Sequence, residues 1–463
     1  MRRIVAVSNR VADPGQGKTQ GGLAVGVLSA LEQDGGLWFG WNGKLDSGIY
    51  SEPQLVERER VVYATFPLHR AKFEQYYNGF CNNILWPVFH YTLGLLEYDR
   101  EQFHAYLQIN SLFARRLLPL LQPDDLIWVH DYHLIPLAAE LRRLGATQPI
   151  GFFLHTPFPP YEVLRALPVY RTLLEALCAY DVVGFQTRRD LHAFRESLSS
   201  ERSLGAVLLP GRRVRIGQHV VRTGVFPIGI DVQNCANMAA AAQRARNVAR
   251  TRESLGHRTL LIGADRLDYS KGLPERFGAY ERFLEQHEEN RGNVVFMQVA
   301  PPTRVGVRAY AEIREQLERA AGHINGRFGE TDWVPLRYLN KGFERKTIMG
   351  LMRLARVGLV TPFRDGMNLV AKEYVAAQDP LQPGVLVLSM MAGAAQELDA
   401  AVLVNPYDTD GVADGIQAGL RMSLDERRER HEAMMKTLAR NDITAWRTRF
   451  IEALNATPLR AAA

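Results

Sequence analysis

The chain predicts an α/β protein built from two consecutive, Rossmann-like doubly wound parallel-sheet domains. Three observations carry that expectation. At 463 residues it exceeds what one ordinary hydrophobic core serves, so two domains of roughly 200 residues or more follow. Short apolar runs of strand length alternate with segments of helical periodicity throughout. The alternation also comes as two series, separated by an Ala-, Arg- and Gln-rich helical stretch over 231–257. The expected domains are 1–231 and 232–442, with a helix in 443–463 crossing back onto the first domain before a frayed tail.

In the first series, RRIVAVSN (2–9) is a strand, followed by a loop with Asp-Pro-Gly and Gly-Gly turn signals and an amphipathic helix over 23–31. The glycines at 15, 17, 21, 22 and 26 do not fit a dinucleotide fingerprint. LWFGW (37–41) is apolar and aromatic, and 72–98 is dense in aromatics expected mostly in the core. Helix over 103–121, strand DLIWVHD (125–131), helix over 134–144 and strand IGFFLH (150–155) follow. TPFPP after the last strand enforces an extended turn. Helices over 161–179 and the strand YDVVGFQ (180–186) come next. The Ser-, Gly- and Arg-rich 196–224 reads as loops and short strands, and FPIGID (226–231) as a strand. The second series places strands at 259–265, 293–300, 335–340, 357–362, 384–389 and 401–406, then late helices over 427–440 and 445–454.

Composition narrows the function classes. Apolar content of 46% and charged content of 23% are those of a globular protein. No apolar run approaches the ~18–20 residues that span a bilayer, and MRRIVAVSNR lacks the form of a signal peptide, so no membrane association is expected. Cys81, Cys178 and Cys235 are far apart and show no metal spacing, which points to a reducing, cytoplasmic setting. The net charge of +6 is scattered, without basic runs interleaved with aromatics. Anionic small-molecule substrates therefore account for it as well as nucleic acid, and nucleic-acid binding is not expected. Arginine supplies most of the cations, yet Lys271 and Lys372 both fall in candidate phosphate loops.

The stretch RDGMNLVAKE (364–373) joins a strand end to a helix start, the position where ligands bind in open α/β sheets. The first-turn amides of Leu369 and Val370, with the helix dipole behind them, suit a phosphate. Asp365 and Glu373, eight positions apart, suit a ligand with hydroxyls at one end and a ribose diol at the other. The plainer alternative is a strand–turn–helix with Asp365 as N-cap. RLDYSKG (266–272) also follows a strand, and Arg266 and Lys271 there can converge on a diphosphate, the arginine as a fork and the lysine as a point charge. A helix start capped by Ser270 is the alternative.

HDYH (130–133) and His155 stand at two further strand ends. A His-Asp-His metal site is one reading, but ligand spacing around a strand end is poor for it. Recognition of sugar hydroxyls by Asp131 and His155 suits the residues better, with His130 in the core. DTD (408–410) is read as a helix cap rather than a metal-binding pair. Arg10 and Arg304 each follow a strand, one in each half, and together would grip a dianionic phosphate. Trp41, Tyr77 and Trp86 would wall the same pocket or else belong to the core.

These residues together resemble the trehalose-6-phosphate synthases, retaining glycosyltransferases of family 20 with the GT-B fold, in which two Rossmann-like domains face a cleft. The resemblance runs through VSNR (7–10), GGLAVG (21–26), WFGW (38–41), YYNGF (76–80), LWP (85–87), WVHDYHL (128–134), GFFLHTPFP (151–159), RLDYSKG and RDGMNLVAKEYVAAQ (364–378). It implies transfer of glucose from UDP-glucose to glucose 6-phosphate, giving α,α-trehalose 6-phosphate and UDP with retention at the anomeric carbon. The implied donor site uses Gly21, Gly22, His155, Arg266, Lys271, Phe343 (by its backbone, at uracil), Asp365, Leu369, Val370, Ala371, Lys372 and Glu373. Arg266 and Lys271 would take the diphosphate, Glu373 the ribose, and His155 and Asp365 the glucose hydroxyls. The implied acceptor site uses Arg10, Trp41, Tyr77, Trp86, Asp131 and Arg304. Asp131, His155, Asp365, Arg266 and Lys271 would be the catalytic set.

With no carboxylate nucleophile evident, the resemblance implies a front-face displacement that needs no metal or other cofactor. It also implies a homodimer or homotetramer, and a separate phosphatase acting downstream. Acceptor phosphate, gripped from both halves, would favour closure of the cleft. GDP- or ADP-glucose as donor, another phosphorylated acceptor, or a non-catalytic sugar-phosphate sensor remain as alternatives.

Overall fold

The structure, a computed structural model, describes residues 2–11, 26–28, 31–32, 35–46, 52–304 and 307–457. The expected loop over 12–20, the glycines 21 and 22 and most of the expected helix over 23–31 lie outside the described residues. The chain divides into two compact units, Met1–Ile228 with Thr444–Ala463, and Gly229–Ile443.

In the first unit the strands are β1 (Ile4–Arg10), β2 (Gly36–Asp46), β3 (Gln54–Arg58), β4 (Val61–His69), β5 (Leu126–His130), β6 (Ile150–Phe153), β7 (Val182–Phe185), β8 (Val207–Leu209), β9 (Arg213–Ile216) and β10 (His219–Val225). They form one sheet in the order β3-β4-β2-β1-β5-β6-β7-β10-β9-β8. The run from β4 to β10 is parallel, while β3 pairs antiparallel to β4, and β9 to β10 and β8. Every residue of β5, β6 and β7 is buried, as expected where both faces of a parallel sheet are covered. One cover is the helix Ile443–Asn455. Its Phe450 lies flat enough on the sheet that a Cβ added at Gly151 or Gly184 would come within 2.8 Å of the ring. Trp446 of the same helix stacks against Trp128 at 4.8 Å.

The second unit holds β11 (Thr259–Ala264), β12 (Val294–Val299), β13 (Leu336–Leu339), β14 (Val357–Val360), β15 (Val385–Ser389) and β16 (Val402–Val404), all parallel, in the order β13-β12-β11-β14-β15-β16. The order reverses between β11 and β14, which makes their carboxyl ends the topological switch point where ligands bind. The corresponding reversal in the first unit lies between β1 and β5.

Several expectations are corrected. FPIGID forms no strand. Phe226 donates its N–H to Phe185 O at 2.8 Å, and Ile228 donates to the Gln186 side chain at 3.0 Å, so the segment is bonded to the end of β7 without joining the ladder. The strand here is β10, which with β8 and β9 falls largely in the segment expected to hold loops and short strands, and β7 and β9 pair with it on both sides. The hairpin β3–β4 was not anticipated, since β3 is exposed along its whole length and shows no alternation. The aromatic stretch 74–85 is a π-helix. Tyr76, Phe80, Trp86 and Phe89 are buried there, but Phe73, Tyr77 and Tyr91 are only half-buried. All three cysteines are buried thiols outside any disulfide. No helix among the described residues is long and apolar enough to cross a membrane.

Candidate active site

At the switch point of the second unit, the loops after β11 and β14 are tied together by charge. Lys271 Nζ donates to Asp365 Oδ2, and both side chains are largely buried. Asn368 Nδ2 donates to the same carboxylate oxygen at 3.0 Å. Asn368, not Asp365, is the N-cap of the helix Leu369–Ala377. It sits in the left-handed region (φ 76°), which asparagine tolerates, and its side-chain oxygen accepts the Ala371 N–H at 3.1 Å. The cap thereby leaves Asp365 to the lysine. Likewise Asp268, not Ser270, receives the turn's N–H at 3.0 Å before Lys271. Gly272, at φ 60°, then lets this loop lie against Thr361 O, which a Cβ would meet at 2.9 Å.

Beneath the two loops lies Arg276, a residue that sequence reasoning missed. It is 1% exposed and pairs with Asp265. It also donates to Thr361 Oγ1 at 2.9 Å, Gln298 Oε1 at 2.9 Å and the Lys271 carbonyl at 3.3 Å. One buried guanidinium thus holds the ends of β11, β12 and β14 together.

The middle of the Leu369 helix carries Glu373, whose Oε1 accepts from Arg345 at 2.8 Å. Burial pushes the Glu373 carboxyl up, and the Arg345 charge opposes that push. Because Arg345 begins the helix after Phe343, this ion pair brings the Phe343 loop to Glu373. Arg345 too was missed, for nothing in its local sequence distinguishes it. Arg266 is exposed at the end of β11.

Two expected site residues are engaged with protein partners in this structure. Lys372 is fully buried, and its ammonium pairs with Glu397 at 2.6 Å, so this position presents no side-chain charge to a ligand. Arg304 does not stand as an open fork. Its side chain is 5% exposed and bonds Asp268 Oδ2 at 3.3 Å and the Tyr310 hydroxyl, over whose ring it lies at 5.4 Å. Gly21 and Gly22 lie outside the described residues.

The β1/β5 switch point of the first unit is built from rings. Arg10, exposed at the end of β1, lies over Trp41 at 5.7 Å. Trp41 packs on Phe73 at 4.9 Å and Tyr77 at 6.3 Å, and Tyr77 stacks on His133 at 5.6 Å. Through His133 and Tyr132 the series reaches Trp86, itself packed at a tilt on His90 at 3.9 Å. Asp131, at a positive φ of 75°, turns its carboxylate so that Oδ1 accepts the His155 N–H at 3.2 Å. His155 and His130 share a hydrogen bond of 3.2 Å between Nε2 and Nδ1. Burial pushes His155 down to about 3, and burial with the neighbouring ring holds His130 well below the usual range. Both imidazoles are therefore neutral at pH 7. Among the described residues no group of three metal-ligating side chains occurs, and Asp408 of DTD caps its helix by accepting the Gly411 N–H at 3.0 Å.

A charged, phosphate-suited switch point, a ring-walled sugar-suited one and a lysine–aspartate junction fit a sugar-nucleotide transferase. Residues 9–456 match glycosyltransferase family 20. The chain belongs to that family. Family 20 relatives cover nearly all of it. It is 49% identical over 462 residues to the trehalose-6-phosphate synthase of Enterobacter sp. (strain 638), covering 99% of this chain and 96% of that one. It is similar to a solved α,α-trehalose-phosphate synthase (UDP-forming) from Burkholderia xenovorans in complex with glucose-6-phosphate, with 49% identity, a TM-score of 0.94 and coverage of 98% and 99%. A structure described as trehalose-6-phosphate from E. coli bound with UDP-2-fluoro glucose matches with 48% identity, a TM-score of 0.94 and coverage of 99% and 100%. Each unit is a parallel-sheet α/β domain of the GT-B class, and the chain is a glycosyltransferase.

Proposed function

We propose that this glycosyltransferase moves glucose from UDP-α-glucose to glucose 6-phosphate, giving α,α-trehalose 6-phosphate and UDP with retention and without a metal. The observation that carries the reading is the Lys271–Asp365 junction at the β11/β14 switch point. It sits in a chain about half identical to proteins described as bound to each substrate or its analogue. Lys271 and Arg266 take the diphosphate, the amides of the Leu369 turn its oxygens, and Glu373 with the Phe343 backbone the nucleoside. Asp365 and His155 take glucose hydroxyls. His155, being neutral, donates or accepts a hydrogen bond without adding charge. Arg10, Trp41, Tyr77, Trp86 and Asp131 take the acceptor. Arg304 joins them only if its guanidinium leaves Asp268.

In the reaction the bond from the anomeric carbon to the diphosphate oxygen breaks, and the acceptor hydroxyl bonds that carbon on the same face. The hydroxyl proton passes to the departing diphosphate oxygen. The chain contributes positioning and fixed positive charge where negative charge builds on the diphosphate. Lys271 is the part of that charge whose position the loops specify most tightly.

Purified protein given UDP-glucose, with and without glucose 6-phosphate and with excess EDTA, tests the reading. Acceptor-dependent UDP release, a disaccharide-phosphate product retaining the α configuration, and a rate unchanged by EDTA are expected. Release only from GDP- or ADP-glucose would move the donor assignment. Loss in EDTA that magnesium restores would overturn metal independence.

A further inference from the structure

At the opposite, amino end of the second unit's sheet lies a cavity of about 330 Å³ that the glycosyl-transfer reading does not use. This is a volume in the range of small-molecule sites, roughly 300–1,000 Å³. Three arginines line it: Arg252 from the helix Arg246–Leu255, Arg258 just before β11, and Arg356 just before β14. Leu255, Leu354 and Leu420 supply apolar wall.

The cations there outnumber their counter-charges. Arg258 pairs with Asp332, whose side chain is 78% exposed, and donates to the Gly292 carbonyl at 3.0 Å. Arg252 is exposed and bonds the Gln243 side chain, a neutral partner. Arg356 donates to two carbonyls, Leu420 at 3.3 Å and Met422 at 2.9 Å, and its Nε is buried with no hydrogen-bond partner. A buried N–H left unbonded is unusual and calls for an occupant. Like charges stand behind the pocket as well. Burial first, and Arg427 second, push the Arg356 guanidinium down to about 10. Arg337 is lowered in the same way by burial and by Arg258. Three forked donors lining one cavity, with a single solvent-exposed carboxylate among their partners, are the chemistry that recognises tetrahedral oxyanions.

We infer that this cavity is an anion site for a phosphoryl group, free or carried on a small ester whose body lies against the leucines. It is separate from the diphosphate position at Lys271, because it lies at the amino ends of β11 and β14 and Lys271 and Asp365 follow their carboxyl ends. An occupant here would neutralise the arginine cluster and complete the bonding of Arg356.

Equilibrium dialysis of inorganic phosphate and of phenyl phosphate against the full chain tests this, with UDP present in excess to fill the diphosphate position. Arg252→Gln and Arg356→Gln are compared with the parent. Arg252 is on an exposed helix face, so its replacement leaves the fold intact even if Arg356→Gln does not. The expected result is a binding component weakened at least tenfold in Arg252→Gln. Tighter binding of phenyl phosphate would identify an ester as the occupant, and equal binding would identify free phosphate. Binding that is absent, or unchanged in Arg252→Gln, would overturn the site. Anion bound at Lys271 because the transfer reading had failed would be insensitive to Arg252→Gln but lost in Lys271→Ala, so the two failures are distinguishable.

Discussion

The β11/β14 and β1/β5 switch points occupy equivalent places in their sheets but are held in shape by different forces. In the second unit the loops are locked by ion pairs: Lys271–Asp365 and Arg345–Glu373 above, and Arg276–Asp265 below. In the first unit the rings of Trp41, Tyr77, His133, Tyr132 and Trp86 pack in series, and His130 and His155 are neutral. The difference teaches what each is built to meet. Fixed charge in a largely buried loop is directional and suits a ligand that brings diphosphate charge. Flat rings with one exposed arginine suit a hydroxyl-bearing ring with a single phosphate.

The largest way to break this contrast is Arg276→Met. If charge holds the second unit's loops, the variant strands Asp265 in the interior and lowers unfolding stability by about 3–5 kcal/mol. Hydrogen exchange across 259–299 in increasing urea reads the effect. A loss below about 1 kcal/mol would mean packing alone holds the loops.

Lys271→Ala comes next. Removing one fixed charge facing the developing diphosphate should cost about 10²–10³ in kcat, roughly 2.7–4 kcal/mol. Initial rates of UDP release measure it. A rate within about threefold of the parent would show that the Leu369 helix terminus and Arg266 suffice, and would weaken the assignment of a special role to the ion pair.

The smallest effect sharpens the first unit's side. His155 and His130 have folded pKa values below the unfolded value, so the unfolded chain takes up protons that the folded chain refuses. The stability that His155 protects is fully present above about pH 6.5 and is lost as the pH falls toward about 3, by up to about 1.4 kcal/mol per pH unit, and His130 acts in the same direction. Urea midpoints between pH 7 and pH 4.5 should fall along that slope, and His155→Gln should flatten it. An equal slope in the variant would mean that His155 titrates as it does in water.

Much of the architecture was legible in the chain because buried parallel strands read as unbroken apolar runs, and β11, β12, β14 and β15 are of that kind. The candidate loops could be located for the same reason: RLDYSKG and RDGMNLVAKE follow such runs directly. The exposed edge strand β3 and the half-exposed β10 carry no such pattern, so pairing with neighbours, not propensity, made them strands. Side-chain commitments were also out of reach. Lys271 and Lys372 look alike as lysines in strand-end motifs, yet one pairs with Asp365 across two loops and the other is buried against Glu397. Arg276 and Arg345 have no local signature, because their roles depend on partners up to 85 and 28 positions away. Residue type and periodicity act over a few neighbours and so determine elements and loop positions. Which charge meets which partner is a long-range choice between chemically equivalent groups, and only the packed tertiary structure makes it.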